Sequence, residues 1–157
     1  MLASVYIETS IVSYLVARPS RDAIMAVRQR RTREWWANRR GGYRLVTSET
    51  TVSEALLGEP AMASKREAAL NGIPLLATRP AVVALGKALI TRGPLPSNAN
   101  ADAYHIAFAA VHGIGYLLTW NCTHIANPSM HPTVRRISRE HGFELPVLCT
   151  PEELLRR

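Results

Sequence analysis

Residues 3–10 read ASVYIETS, a short apolar run that stops on a carboxylate. The run over 3–7 has the length and composition of a buried strand. Glu8 ends it, and Thr9-Ser10 supply a natural helix start. A second apolar run, YLLTW over 116–120, stops on Asn121 in the same way. In open α/β sheets, side chains at the carboxyl ends of strands face the crevice where ligands bind. Two strand ends that each deliver a polar side chain therefore predict a site at one edge of a sheet.

Working outward from these runs, strand and helix signals alternate. A helix over 10–17 is broken by Pro19-Ser20. A long Arg-rich helix over 21–39 stops at Gly41-Gly42 and leads to a strand over 43–46. Thr47 or Ser48 caps a helix reaching Leu57, with Gly58 just beyond it. A helix over 61–70 precedes a third strand over 74–77, and Pro80 opens a helix over 80–91. The helix over 101–112 ends at Gly113 before the strand over 116–120. A helix over 133–141, a last strand over 146–149 and a last turn over 151–155 complete the chain. This alternation predicts one α/β domain spanning 1–157 with a mainly parallel sheet. Right-handed crossovers would bring the ends of strands 3–7 and 116–120 to the same edge.

Composition narrows the class of protein. At 157 residues and 47% hydrophobic content, the chain is long enough for one domain with a real core. No apolar run approaches the ~20 residues that span a bilayer, and no secretory signal is visible. Cys122 and Cys149 lack metal spacing and suit a reducing cytoplasm. The net charge is +7, and 17 of the 19 basic residues are Arg. Eight of these arginines lie between Arg21 and Arg44, against only Asp22 and Glu34. Such a face suits a polyanion such as nucleic acid, or an acidic protein partner.

Acids are scarce, so each one in an apolar setting carries weight. Glu8 follows a buried strand directly, and buried carboxylates are rare unless paired or metal-bound. Glu49 and Glu54 share one helix but point about 140° apart at 100° per residue, so one pocket takes only one of them. The helix dipole accounts for Glu49 in the first turn. Nothing so simple accounts for Glu54, which makes it the candidate. Asp102 opens the tightly apolar helix over 101–112, which would hold it over the strand ends. Asn121 donates and accepts hydrogen bonds, and His124 follows three residues later. His105 and His112 have the spacing of core-edge or surface residues rather than zinc ligands. Phosphate-binding glycine loops, zinc-protease and deaminase patterns and a serine-nucleophile elbow are all missing.

Gathered carboxylates repel, and a divalent cation relieves the repulsion. Oxygen-rich sites suit Mg²⁺ or Mn²⁺, which polarise phosphoryl oxygens and activate water. Acids inside and arginines outside together describe a metal-dependent nuclease.

The ordered motifs VYIETS, TSETTVSEAL, NADAYHIAFA and YLLTWN resemble the PIN-domain family over essentially the whole chain. The phrases DAYHIAFA and LLTWNCTHIAN are most similar to the ribonuclease toxins of VapBC-type toxin–antitoxin pairs. The resemblance implies a Rossmann-like α/β/α sandwich and Mg²⁺- or Mn²⁺-dependent cleavage of RNA. It also implies a homodimer and inhibition by a small antitoxin protein. The family's four site positions fall on Glu8, Glu54, Asp102 and Asn121. Glu8 and Asp102 would bind the metal most directly, Glu54 would position the ion or its water, and Asn121 would orient water or substrate. The first position is usually Asp in the family and is Glu here. The fourth is often Asp and is Asn here, leaving three carboxylates. These two departures motivate the alternative of a catalytically weak binding module for RNA or protein. A DNA-directed nuclease is a third reading.

Overall fold

The computed structural model describes residues 1–156. Its elements run β1 (Ala3–Ile7), α1 (Thr9–Val16), α2 (Ala23–Asn38), a 3-10 turn at Arg40–Gly42, β2 (Tyr43–Val46), α3 (Glu49–Ala55) and α4 (Pro60–Leu70). They continue with α5 (Pro80–Thr91), α6 (Asn100–Val111), β3 (Tyr116–Leu118), α7 (His131–Glu140), β4 (Val147–Cys149) and α8 (Pro151–Leu155). The strands form one sheet in the order β2-β1-β3-β4, and every neighbouring pair is parallel. The expected α/β architecture around a parallel sheet is present.

Strand alternation creates two cores. Tyr6, Leu117 and Leu148 point to one face and pack with α5, α6 and α7. Val5, Ile7, Leu118 and Cys149 point to the other, against Ile11 and Val12 of α1, Trp35 of α2 and Leu154 of α8. Because both faces are covered, the strands read as continuous apolar runs. Helix α6 is buried along most of its length, and its small residues Ala103, Ala107, Ala109 and Ala110 permit close packing. Across from it, a Cβ on Gly86 would come within 2.8 Å of the Tyr104 ring, so α5 and α6 approach at a point only glycine allows. Gly113, at φ +67°, ends α6 in the left-handed conformation and turns the chain towards β3.

Two expectations need correction. The segment over 74–77 is not a strand. It makes a single bridge, Thr47 to Leu75, closed by Thr47 N–H to the Pro74 carbonyl and Leu76 N–H to the Thr47 carbonyl. Pro74 has no N–H with which to lengthen the ladder. The strand expected over 116–120 ends at Leu118. The Arg-rich helix is present as α2, and several arginines of its segment meet partners within the chain. Arg31 pairs with Glu152 and Glu34, Arg33 donates to the Ala17 carbonyl just past α1, and Arg40 lies 4.2 Å from the centre of the Trp36 ring. Among the described residues, no helix is long and apolar enough to cross a membrane.

Candidate functional site

The carboxyl ends of β1 and β3 do meet. Ile7 is in register with Leu118, so Glu8 stands beside Thr119. Glu8 occupies the position preceding α1 but makes no side-chain cap. Its Oε1 instead accepts hydrogen bonds from the Ser10 hydroxyl and, at 2.6 Å, from the Thr119 hydroxyl. Ser10 Oγ also accepts from the Trp120 N–H at 2.8 Å, which closes the junction between the two strand ends.

Helix α3 supplies the second acid. Thr47 and Thr51 donate their hydroxyls to the Ile7 carbonyl, fastening the start of α3 to the end of β1. Glu54, one turn beyond Thr51, then faces the junction. Its Oε1 accepts from Thr9 Oγ1 and from His105 Nε2, both at 2.6 Å. Glu49 points away and accepts from Thr78, as the helical angle requires.

His105 is the residue that sequence reasoning missed. It was expected at a core edge or surface, yet it is fully buried within the site, with Nε2 4.0 Å from Glu8 Oε2. Its Nδ1 lies 2.7 Å from the Tyr6 hydroxyl, which lies 2.6 Å from Ser48 Oγ. A signal was available: Tyr6 and Glu8 share one face of β1, and His105 lies one turn along α6 from Asp102. Burial opposes a charge on His105. The Tyr6 oxygen, the hydrogen bond to Glu54 and the charges of Glu8 and Glu54 outweigh it, and the pKa is pushed up to about 10. Burial likewise opposes ionisation of Glu54, but the hydrogen bond and charge of His105, with the Thr9 hydroxyl, hold it below the usual carboxylate range. The pair is thus an imidazolium and a carboxylate.

Ligand atoms of Glu8, Glu54 and His105 lie within 4.8 Å of one another. Both nitrogens of His105 are engaged, so it acts as the cation that gathers the acids. The carboxylates differ in this respect. Each is anchored through Oε1, and among the described residues no hydrogen bond engages Oε2 of either one. Glu54 is a third exposed, which opens the cluster to solvent on that side. Two anchored carboxylates, each with one oxygen outside any hydrogen bond among the described residues, fit a hard divalent cation such as Mg²⁺ or Mn²⁺.

Asp102, expected on the metal beside Glu8, is not one of the three clustered residues. Its Oδ2 lies 3.0 Å from His124 Nδ1. Asn121 is also occupied: its Oδ1 accepts from the backbone N–H groups of Thr123 and His124, and its own N–H donates to Thr119 Oγ1. All four predicted positions therefore border one chain of contacts. Hydrogen bonds run from Glu8 through Thr119, Asn121 and His124 to Asp102; one turn of α6 leads from Asp102 to His105, which bonds Glu54 and stands 4.0 Å from Glu8.

No protein-family model matches this chain, and no curated protein is similar enough to match it.

Proposed function

We propose that the chain is a divalent-metal-dependent nuclease of the PIN type that acts on RNA, with Glu8 and Glu54 as the protein's metal ligands. One observation carries this reading. Two acids 46 positions apart in sequence are brought together at the carboxyl edge of a parallel sheet, each with one oxygen anchored by hydrogen bonds and the other outside any hydrogen bond among the described residues. A cation bound there would polarise a phosphoryl oxygen and lower the pKa of a coordinated water. The charge of the chain supports a polyanionic substrate, and Arg28 lies 5.3 Å from the centre of the Trp120 ring, next to Asn121. RNA rather than DNA, a toxin role, an antitoxin partner and a homodimer rest on the motif resemblance.

A specific observation favours a second reading, a binding module with weak or no catalysis. His105 already supplies a positive charge to Glu8 and Glu54, so the acids hold together without metal. Calorimetric titration with Mn²⁺, paired with cleavage assays on RNA and DNA of the same sequence, separates the readings. The nuclease reading expects Mn²⁺ binding that Glu54→Gln abolishes, together with RNA cleavage that disappears in the same variant. RNA binding with no carboxylate-dependent Mn²⁺ affinity would establish the binding module instead.

A further inference from the structure

We infer that the outer face of α2 is a docking surface for single-stranded nucleic acid, separate from the Glu8–Glu54 cluster. The inference concerns binding alone and holds whether or not that cluster supports cleavage.

Arg30, Arg33, Ala37 and Arg40 recur at spacings of three and four residues. That spacing sets them on one stripe of the helix and of the turn that follows it. Arg30, Arg33 and Ala37 are exposed, and Arg40 is half-buried. Arg28 lies about 160° round the helix from Arg30 and meets the buried Trp120 ring instead. The stripe is therefore a different surface from the one next to Asn121.

The charges of the stripe are not neutralised by acids. Elsewhere on the surface, Arg92 and Arg136 pair with Glu140, and Arg139 pairs with Glu144. On the stripe, Arg30 bonds no described residue. Arg33 donates only to the main-chain carbonyls of Leu15 and Ala17, which fixes it against the end of α1. Arg40 lies over the Trp36 ring, and its side chain makes no hydrogen bond to a described residue. Glu34, the one acid within α2, is held by Arg31 at 3.2 Å. Three permanent positive charges thus line about 15 Å of one helix. Ala37, between Arg33 and Arg40, projects only a methyl group, so an extended strand can lie along them.

Trp36 selects among polyanions. The Arg40 guanidinium carbon stands 4.2 Å from the centre of the Trp36 ring. A guanidinium laid on an indole is a fixed, charged plane on which a nucleobase stacks, while its N–H groups reach a phosphate. Bases offer their faces in this way when they are single-stranded. An acidic peptide supplies charge but no row of stacking planes. A lipid surface calls for large apolar side chains among the arginines. Ile24, the most exposed large apolar residue of α2, lies about 180° round the helix from Arg33.

The test uses the full chain in EDTA, so that binding is read without metal-dependent cleavage. The probe is a fluorescent oligouridylate of about 12 nucleotides. Anisotropy at several salt concentrations compares wild type, Arg30→Glu combined with Arg40→Glu, and Arg40→Lys. Thermal melts establish folding, and Arg30→Glu alone is read if the double variant does not fold. The double variant should bind about tenfold more weakly or worse, and its slope of log affinity against log salt should fall by about 1.4, the loss of two single-strand phosphate contacts. Arg40→Lys keeps the charge and removes the plane, so it should keep the slope and lose about fivefold or more in affinity. A duplex of the same length should bind wild type more weakly than the single strand. No binding by wild type, or equal affinity and slope in wild type and the charge-reversed variant, overturns the inference. So does wild-type affinity in Arg40→Lys, equal binding of the duplex, or displacement of the probe by polyglutamate at matched charge, which would mark the stripe as a surface for acidic proteins. Mn²⁺ binding at Glu8 and Glu54 is measured apart from all of these, so the nuclease reading stands or falls separately.

Discussion

His105 Nε2 lies 2.6 Å from Glu54 Oε1, with the ring wholly buried and the carboxylate a third exposed. The contact joins α6 to α3 and sets a cation between two acids drawn from different parts of the fold. An ion pair at a sealed-off histidine is costly to break from one side, because the remaining charges lose their compensation.

Replacing His105 by Gln keeps a hydrogen-bond donor but removes the charge. Glu8 and Glu54 then face each other uncompensated. The expected loss of stability is about 3 kcal/mol, the low end for a broken buried pair because water reaches Glu54. Mn²⁺ should raise the melting temperature of this variant more than that of wild type, since the ion replaces the missing charge. Melting curves with and without Mn²⁺ decide the matter, and equal shifts for both proteins would show that ion and imidazolium do not share one role.

The same pair fixes the sign of the pH dependence. The His105 pKa is raised to about 10, so its contribution is complete below its ordinary value of about 6.5 and is lost as pH rises towards 10. The Glu54 pKa is lowered, so its contribution is complete above the ordinary carboxylate value and is lost as pH falls through the folded value. Stability should therefore be greatest between about pH 4.5 and 6.5 and should decline on both sides. Urea midpoints across pH check this. In His105→Gln the alkaline decline should flatten.

Tyr6→Phe removes the hydroxyl that joins His105 Nδ1 to Ser48. Thr51 Oγ1, at 3.5 Å from Nδ1, is a poor replacement. A buried donor left unpaired costs about 1–3 kcal/mol. A chemical denaturation midpoint that does not move would show that the ring finds another partner.

Carboxylate-to-amide changes should separate the metal ligands from the other acids. Glu8→Gln and Glu54→Gln should each abolish measurable Mn²⁺ binding. Glu49→Gln, at a side chain bonded to Thr78, should leave it unchanged. Isothermal titration provides the comparison, and an equal effect at Glu49 would rule out a local site.

Arg28, stacked over Trp120, is the arginine of α2 that the proposed function would set against a phosphate. Arg28→Ala should weaken RNA binding and reduce the slope of log affinity against log salt by about one. Anisotropy titrations at several salt concentrations read that slope, and an unchanged value would place the RNA elsewhere.

Much of this arrangement was legible in the sequence because it depends on short-range patterns. The apolar run ending at Glu8 located the end of β1, the run ending at Asn121 overshot the end of β3 by two residues, and helical geometry separated Glu54 from Glu49. Gly113 marked the end of α6. What stayed hidden depends on contacts between distant elements. The pairing of His105 with Glu54 is a meeting of two helices that no local pattern records. Asp102 reads as a metal ligand, and its contact with His124 is likewise one that no local pattern records. The segment over 74–77 has strand composition, but Pro74 and its place at the sheet edge reduce it to one bridge.

The hydroxyl of Thr119 joins residues 111 positions apart when it donates to Glu8. A ribosome-bound chain that has exposed only its first hundred residues already contains both carboxylates, but it lacks His105, Thr119 and the turn that carries His124. The centre is therefore among the last parts of the molecule to become complete during synthesis, because its closing contacts are long-range and wait for the C-terminal third of the chain. Any activity that depends on those contacts is silent in the growing polypeptide and begins only when the sheet is finished.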